Sequence, residues 1–120
     1  MKTYFHDWSV KNYNDLIGKK AMEGDFRITL TNEKILFATY TYEYYSGNAY
    51  VLFTKGNKVY EVYGSHCSCM GLEDQWSPEL IDKKVIKHRI DEDIDNNYAF
   101  NDLSPEEKKI LKRILNNLLK

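Results

Sequence analysis

Apolar and polar residues alternate along much of the chain between residues 26 and 63, as is typical of strands whose two faces differ. β-Branched and aromatic side chains dominate these stretches, and both kinds favour extended backbone. The pattern predicts four strands, at residues 26–31, 34–44, 49–55 and 58–63. The connections are short, and Gly56-Asn57 is a two-residue turn with glycine first. We therefore expect a four-stranded antiparallel meander.

A different period marks the C-terminus, where apolar residues recur on one helical face. These residues are Ile110, Leu111, Ile114, Leu115, Leu118 and Leu119. The preceding Ser104-Pro105-Glu106-Glu107 combines an N-cap, a proline in the first turn and a capping-box glutamate. An amphipathic helix packed on one face of the sheet is expected, which makes the fold class α+β.

Three other segments are read from weaker patterns. Residues 1–24 favour a short helix, capped by Asp7 or Ser9 and limited in length by Gly18 and Gly24. Ser77-Pro78-Glu79 resembles a helix start, although residues 79–89 fit a helix or a strand equally well. Residues 91–102 hold five acidic residues and no basic ones, and we expect a loop there.

Length and charge narrow the class of protein. A chain of 120 residues with 42% hydrophobic and 29% charged residues fits one globular domain, residues 1–120. A net charge of -1 and a pI near 6.3 give no general attraction to nucleic acid or anionic membranes, and they argue against a DNA mimic. The first eight residues lack the apolar core of a signal peptide. A cytoplasmic protein with reduced thiols is therefore expected.

The densest group of soft metal ligands is His66, Cys67 and Cys69. Zn²⁺ prefers thiolate and imidazole donors in tetrahedral sets, and in extended backbone the two cysteines share a face. We expect a structural zinc with His88 as the fourth ligand. Other candidates for that position are Glu73, Asp74 and His6. The alternative is two reduced, partly buried cysteines beside an unrelated histidine.

Two further features indicate binding surfaces. Tyr42, Tyr44 and Tyr45 lie in the tyrosine-rich part of the predicted sheet, where tyrosines serve protein interfaces, base stacking or cross-strand packing. A run of acids offers contacts to a basic groove on a partner, unless it is only a solvated face. These acids are Asp91, Glu92, Asp93 and Asp95.

Motifs for catalysis are missing from the sequence. It contains no glycine-rich phosphate loop, no H-E-x-x-H and no zinc-deaminase signature. We therefore expect a binding protein and no enzyme. Two alternatives stay open: a metal-dependent or thiol enzyme that uses Cys67 or Cys69, and a small nucleic-acid-binding module that uses exposed tyrosines and the basic last helix.

Residues 42–49, 60–62 and 64–79 resemble a family of small phage and prophage proteins with the signature Y-E-V-x-G-S-H-C-S-C-x-G-L-E-x-Q-W-x-P-E. His88-Arg89 also falls where that family tends to show a His-Arg pair. More loosely, the chain is similar to zinc-containing anti-CRISPR proteins of streptococcal prophages, which block the type II effector nuclease. The resemblance implies a cytoplasmic phage protein that binds this host nuclease and hinders target-DNA loading and cleavage. It also implies a structural Zn²⁺ and supports His88 as a ligand. The near-neutral charge favours contact with a protein lobe over the DNA groove.

Overall fold

Five strands form one sheet, in which the order across the sheet follows the order along the chain. The computed structural model describes residues 4–6, 15–41, 46–67 and 70–120, with the backbone alone at residues 4–6, 15–18 and 98. The strands are β1 (Tyr4–His6), β2 (Lys34–Tyr40), β3 (Ser46–Lys55), β4 (Lys58–Cys67) and β5 (Glu79–Ile81). Strands β2 to β5 form an antiparallel meander, and β1 pairs with β2 in parallel. The predicted α+β class with a four-stranded antiparallel meander is confirmed.

The helical segments cover both faces of this sheet. They are α1 (Asp15–Phe26), α2 (Lys83–His88), a π-helical turn (Arg89–Asp93), α3 (Ile94–Asn96), a 3₁₀ turn (Tyr98–Phe100) and α4 (Pro105–Leu118). No helix in the described part of the chain is long and apolar enough to cross a bilayer.

Each face of the sheet has its own apolar core. On one face, Phe37, Tyr50 and Leu52 pack with buried residues of α4, among them Leu111 and Leu115. We name this the α4 face. The other face, which we name the α1 face, buries residues of α1 and of the central strands. These residues include Met22, Phe26, Val51, Phe53 and Val62. Strand alternation sends even-numbered residues of β4 to the α1 face and odd-numbered residues to the α4 face.

Helix α4 forms as the sequence predicts. The Ser104 hydroxyl accepts a hydrogen bond from the Glu107 N–H (3.1 Å), and the Glu107 carboxylate accepts one from the Ser104 N–H (2.8 Å). This capping box satisfies two of the amides that a helix start leaves unpaired, which is worth about 1 kcal/mol. The apolar stripe then packs against the sheet.

The predicted strand at residues 26–31 is wrong. Phe26 ends α1, Arg27 adopts a left-handed conformation (φ 58°), and the chain reaches β2 only at Lys34. Met22 and Phe26 are one helical turn apart, and their burial on the α1 face outweighs the local strand pattern. The fourth strand of the meander is β5.

Other boundaries also differ from the predictions. Helix α1 runs through Gly18 and Gly24 instead of ending at them, while the proposed caps Asp7 and Ser9 lie outside the described residues. β4 extends past residue 63 to Cys67. The proposed helix start at Ser77-Pro78-Glu79 leads into β5 instead, and α2 begins after the N-cap Asp82, whose carboxylate accepts from the Val85 N–H. The predicted acidic loop is largely helical.

Candidate functional site

Cys67, the first of the two cysteines, is the last residue of β4 and forms an isolated antiparallel bridge with Met70. The Cys67 N–H donates to the Met70 carbonyl (2.8 Å), and the Met70 N–H donates to the Cys67 carbonyl (3.3 Å). Ser68 and Cys69, between these two residues, lie outside the described residues. Because β4 stays extended through Cys67, His66 and Cys67 project to opposite faces of the sheet.

His66 is buried and lies against the neighbouring strand end. Its ring stacks on Tyr40, with ring centroids 4.1 Å apart and planes within 5°. A carbonyl oxygen only accepts, so Nε2 carries the proton that it donates to the Thr41 carbonyl (2.5 Å). Nδ1 lies 3.4 Å from the Tyr40 hydroxyl. Both ring nitrogens therefore join β4 to the end of β2.

A close approach of the backbone makes room for this imidazole. Gly47 pairs with His66 in the β3–β4 register. A Cβ atom at Gly47 would lie 1.8 Å from the Thr41 carbonyl oxygen and 2.8 Å from Nε2 of His66. Glycine at this position is therefore required by the packing of the histidine against the strand end.

His88, the predicted fourth zinc ligand, lies at the other end of β4. Its side chain is 60% exposed, and Nε2 is 3.5 Å from the Asp93 carboxylate. The neighbouring Arg89 bonds to Glu61, which is six residues, or roughly 20 Å, along β4 from Cys67. Zinc donors lie about 2.0–2.3 Å from the ion. The structure therefore does not bring His88 and Cys67 together.

The described residues do not assemble the predicted four-ligand site. Among them, no group of three or more His, Cys, Asp or Glu side chains is placed to hold a metal ion. Cys69 is outside that part of the chain, and His66 uses its nitrogens on β2. Zinc binding therefore stays a prediction, which depends on the two thiols of the sequence, Cys67 and Cys69.

The predicted partner residues divide into two groups. Tyr42, Tyr44 and Tyr45 lie outside the described residues. The acids lie on the helical run that follows α2, where Asp91, Glu92 and Asp95 are exposed. Asp93 turns inward and accepts a hydrogen bond from Nη1 of Arg89 (2.5 Å).

A buried ionic network lies on the α4 face, and sequence reasoning missed it. The carboxylate of Glu61 is fully buried. It accepts from Nη2 of Arg89 (2.6 Å) and Nε of Arg89 (3.3 Å), and from the hydroxyls of Tyr50 (3.0 Å) and Tyr63 (3.4 Å). Asp93 holds the same guanidinium from its other side. Four donor groups thus compensate the buried charge.

The network keeps its two phenols and its guanidinium in fixed protonation states. Burial, and then the nearby charge of Glu61, raise the pKa of Tyr50 and of Tyr63 well above the ordinary value for tyrosine. The hydrogen bond to Glu61 raises the pKa of Arg89. Both phenols therefore act as hydrogen-bond donors and the guanidinium stays charged. Such a closed ion pair stabilises structure and has no open position for a substrate.

One signal in the sequence points to Glu61. It occupies an alternating position between Val59 and Tyr63, on the face of β4 that would otherwise be apolar. A carboxylate in such a row needs a buried partner. The partner, Arg89, is 28 residues further along the chain, so only the topology reveals the pair.

Residues of the motif at positions 64–79 hold the segment after β4 in place. The Gln75 amide pairs with both backbone groups of Ser65, accepting from its N–H (2.9 Å) and donating to its carbonyl (2.7 Å). It also donates to the Gly71 carbonyl (2.7 Å). Leu72 is buried against Gly64, where a Cβ atom would lie 2.9 Å from Cδ2 of Leu72. The motif therefore has structural tasks.

A groove of about 380 Å³ opens beside this segment. Its lining is small or neutral: Asn48, Ala49, Tyr63, Gly64, Ser65, Gln75, Asn97 and Ala99. Within the described part of the chain, no His, Cys or carboxylate lines it to serve as a general base. The groove could therefore hold a ligand only through hydrogen bonds and shape complementarity.

Comparison of the chain with protein-family models, curated proteins and solved structures finds no match.

Proposed function

We propose that this protein binds the type II CRISPR effector nuclease of a bacterial host and blocks target-DNA loading and cleavage by occupancy alone. The observation that carries the proposal is an acidic edge, formed by Asp91, Glu92 and Asp95, which projects from the helical run after α2. A nuclease that handles nucleic acids is rich in basic side chains, so a local acidic edge on a near-neutral chain has complementary partners on a protein lobe outside the DNA groove.

The buried network fixes the position of this edge. Arg89 starts the π-helical turn and bonds at once to Glu61 of β4 and to Asp93. The acids on either side of Asp93 are thereby attached to the central sheet. An edge that is already ordered loses little conformational entropy when it binds, which favours affinity.

Two lysines neutralise part of the edge in the unbound protein. Lys87 lies 3.4 Å from Asp91 and Lys112 lies 2.7 Å from Asp95. These pairs are at the surface, where an ion pair is worth about 0–1 kcal/mol. A partner's arginines and lysines can therefore replace them at little cost.

The buried chemistry also favours binding over catalysis. Glu61 and Arg89 satisfy each other inside the protein, and His66 bonds to the end of β2. Zinc, if the two cysteines hold it, would order the turn after β4 as a structural ion. Stoichiometric binding needs none of these groups to react.

The test is a DNA-cleavage assay with a streptococcal type II CRISPR nuclease and guide RNA, titrated with the protein and paired with a measurement of target-DNA binding. We expect inhibition that saturates near one equivalent, with DNA binding lost in parallel. Unchanged cleavage at large excess would remove this nuclease as the partner.

A triple variant tests the acidic edge itself. Asp91→Asn, Glu92→Gln and Asp95→Asn together should weaken inhibition by about tenfold or more, since three interfacial charges at roughly 0.5 kcal/mol each amount to that factor. The control variant makes the same charge change elsewhere, with Asp74→Asn, Glu79→Gln and Glu106→Gln. An equal loss of inhibition in both variants would show that net charge, and not the edge, determines binding.

A further inference from the structure

A second candidate surface lies on the α1 face, where the helix leaves part of the sheet uncovered. Phe53, Tyr60 and Leu80 are register partners across β3, β4 and β5, so their side chains form one row. Helix α1 covers the Phe53 end of this face through Phe26. At the other end, Leu80 is 59% exposed. The row therefore runs from the core to the surface.

Three aromatic rings in nearly parallel planes form the centre of this surface. Phe53 stacks with Tyr60 (centroids 5.3 Å apart, planes within 17°) and with Trp76 (5.6 Å, 12°). Phe53 is buried, whereas Tyr60 and Trp76 are half-buried. With Pro78 they line a recess of about 290 Å³. We name it the aromatic recess.

Two charged side chains, Glu33 and Lys55, complete the lining of the recess. Oε1 of Glu33 accepts from the N–H groups of Thr31 and Asn32 (2.9 Å each), which fixes the carboxylate in the turn before β2. Partial burial alone would raise the pKa of Glu33, but these backbone N–H groups and the charge of Lys55 lower it below its usual value. The recess therefore has an ionised carboxylate beside aromatic faces.

We infer that the aromatic recess binds the guanidinium group of an arginine on a partner protein. A guanidinium is planar and weakly hydrated, so it stacks on aromatic rings, and its N–H groups donate to a carboxylate oxygen, here Oε2 of Glu33. The negative π faces and the carboxylate both disfavour an anionic ligand. Lys55 is then a competing cation at the rim. The inference deepens the proposed protein binding, because it names the chemistry of one partner side chain.

The experiment uses blocked amino acids as probes, so it does not depend on the nuclease. The full-length protein is titrated with N-acetyl-arginine methylamide while the indole N–H resonance of Trp76 is followed by NMR, assigned with a Trp8→Phe variant. The matched neutral probe is the citrulline analogue, which has the same shape without the charge. We expect saturable shifts with arginine and at least about threefold weaker binding of citrulline.

Two charge variants give opposite signs. Glu33→Gln should weaken arginine binding by about threefold, and Lys55→Gln should strengthen it by about twofold, because the first removes the counter-charge and the second removes the competitor. The control is Lys58→Gln, at the register partner of Lys55 and outside the recess lining, which should leave binding unchanged. Lys55 is exposed, so the Lys55→Gln variant is expected to fold normally. It therefore tests the inference even if Glu33→Gln disturbs the turn before β2.

Equal binding of arginine and citrulline, equal binding of a blocked lysine, or weaker binding after Lys55→Gln would each overturn the inference. A failed nuclease assay with a successful arginine titration would leave the recess standing with a different partner. A successful nuclease assay with a failed arginine titration would exclude the recess as an arginine site and leave the acidic edge as the proposed binding surface.

Discussion

Arg89 is the cation on which the buried carboxylate of Glu61 depends, so its replacement by methionine tests the network directly. Arg89→Met keeps most of the aliphatic stem but removes two hydrogen bonds to Glu61 and the one to Asp93. The carboxylate would remain fully buried, with only the hydroxyls of Tyr50 and Tyr63 as donors. A buried charge would thus lose its counter-charge.

The expected loss of stability follows from that arrangement. Removing one partner of a buried ion pair costs about 3–5 kcal/mol. The side chain of Arg89 is 20% exposed and two phenolic donors remain, so the lower end, about 3 kcal/mol, is expected. A chain of this length is stable by roughly 6–18 kcal/mol, so the variant should fold but unfold at clearly lower denaturant.

Urea denaturation of the wild type and the variant measures this difference, with the slope m checked for equality. The surface control Lys109→Met, on the exposed side of α4, should change the free energy of unfolding by less than about 0.5 kcal/mol. The double variant Glu61→Gln/Arg89→Met should be more stable than Arg89→Met, because no charge is left uncompensated and the amide oxygen still accepts from the phenols. A single variant within 1 kcal/mol of wild type, or a double variant whose loss equals the sum of both singles, would refute the reasoning.

Three further predictions follow from other sites. Gly47→Ala should lower the free energy of unfolding by about 1–3 kcal/mol in urea denaturation, because the new Cβ atom would meet a backbone carbonyl. Gly24→Ala has open space around it in α1 and should raise the free energy of unfolding by about 0.5–1 kcal/mol. Equal effects of the two variants would contradict the packing argument. Elemental analysis of untagged protein should find about one zinc per chain. The zinc should be lost in Cys67→Ser and kept in His88→Asn, and a fully folded protein without metal would exclude the site. The pKa of Tyr63 is raised in the folded protein, so the contribution of Tyr63 to stability is intact below its unfolded pKa near 10 and falls as the pH rises above that value. The free energy of unfolding should therefore fall less steeply with alkaline pH in Tyr63→Phe than in the wild type. An unchanged pH dependence would contradict this.

The parts of the fold that the sequence predicts are those with local causes. The periodicity and capping box of α4 lie within one segment, and Gly56, with φ 64°, supplies the left-handed residue of the β3–β4 turn. The wrong strand at residues 26–31 has a non-local cause, since Phe26 packs against Trp76 and Phe53, residues far away along the chain. Local alternation there is real but weaker than tertiary packing.

The candidate sites show the same division. Adjacent residues such as His66 and Cys67 suggest one metal site, yet strand alternation separates them across the sheet. Glu61 and Arg89 are far apart in sequence, yet the meander and the π-helical turn bring them to 2.6 Å. Spacing in the sequence predicts a site only where the backbone conformation between the residues is also known.

The tasks of the motif residues indicate where partner specificity resides. Gly64, His66 and Gln75 all bond or pack within the protein, so a chain with the same motif is expected to share this arrangement of β4 and the following segment. Those interactions are already satisfied before any partner arrives. In the proposed complex, binding energy would come mainly from residues that remain available, which are the acidic edge and the charged rim of the aromatic recess. Because both lie outside the core of the motif, two chains with the same motif can bind different partners, and exchanging the acids of the edge between them should transfer the preference while the fold stays unchanged.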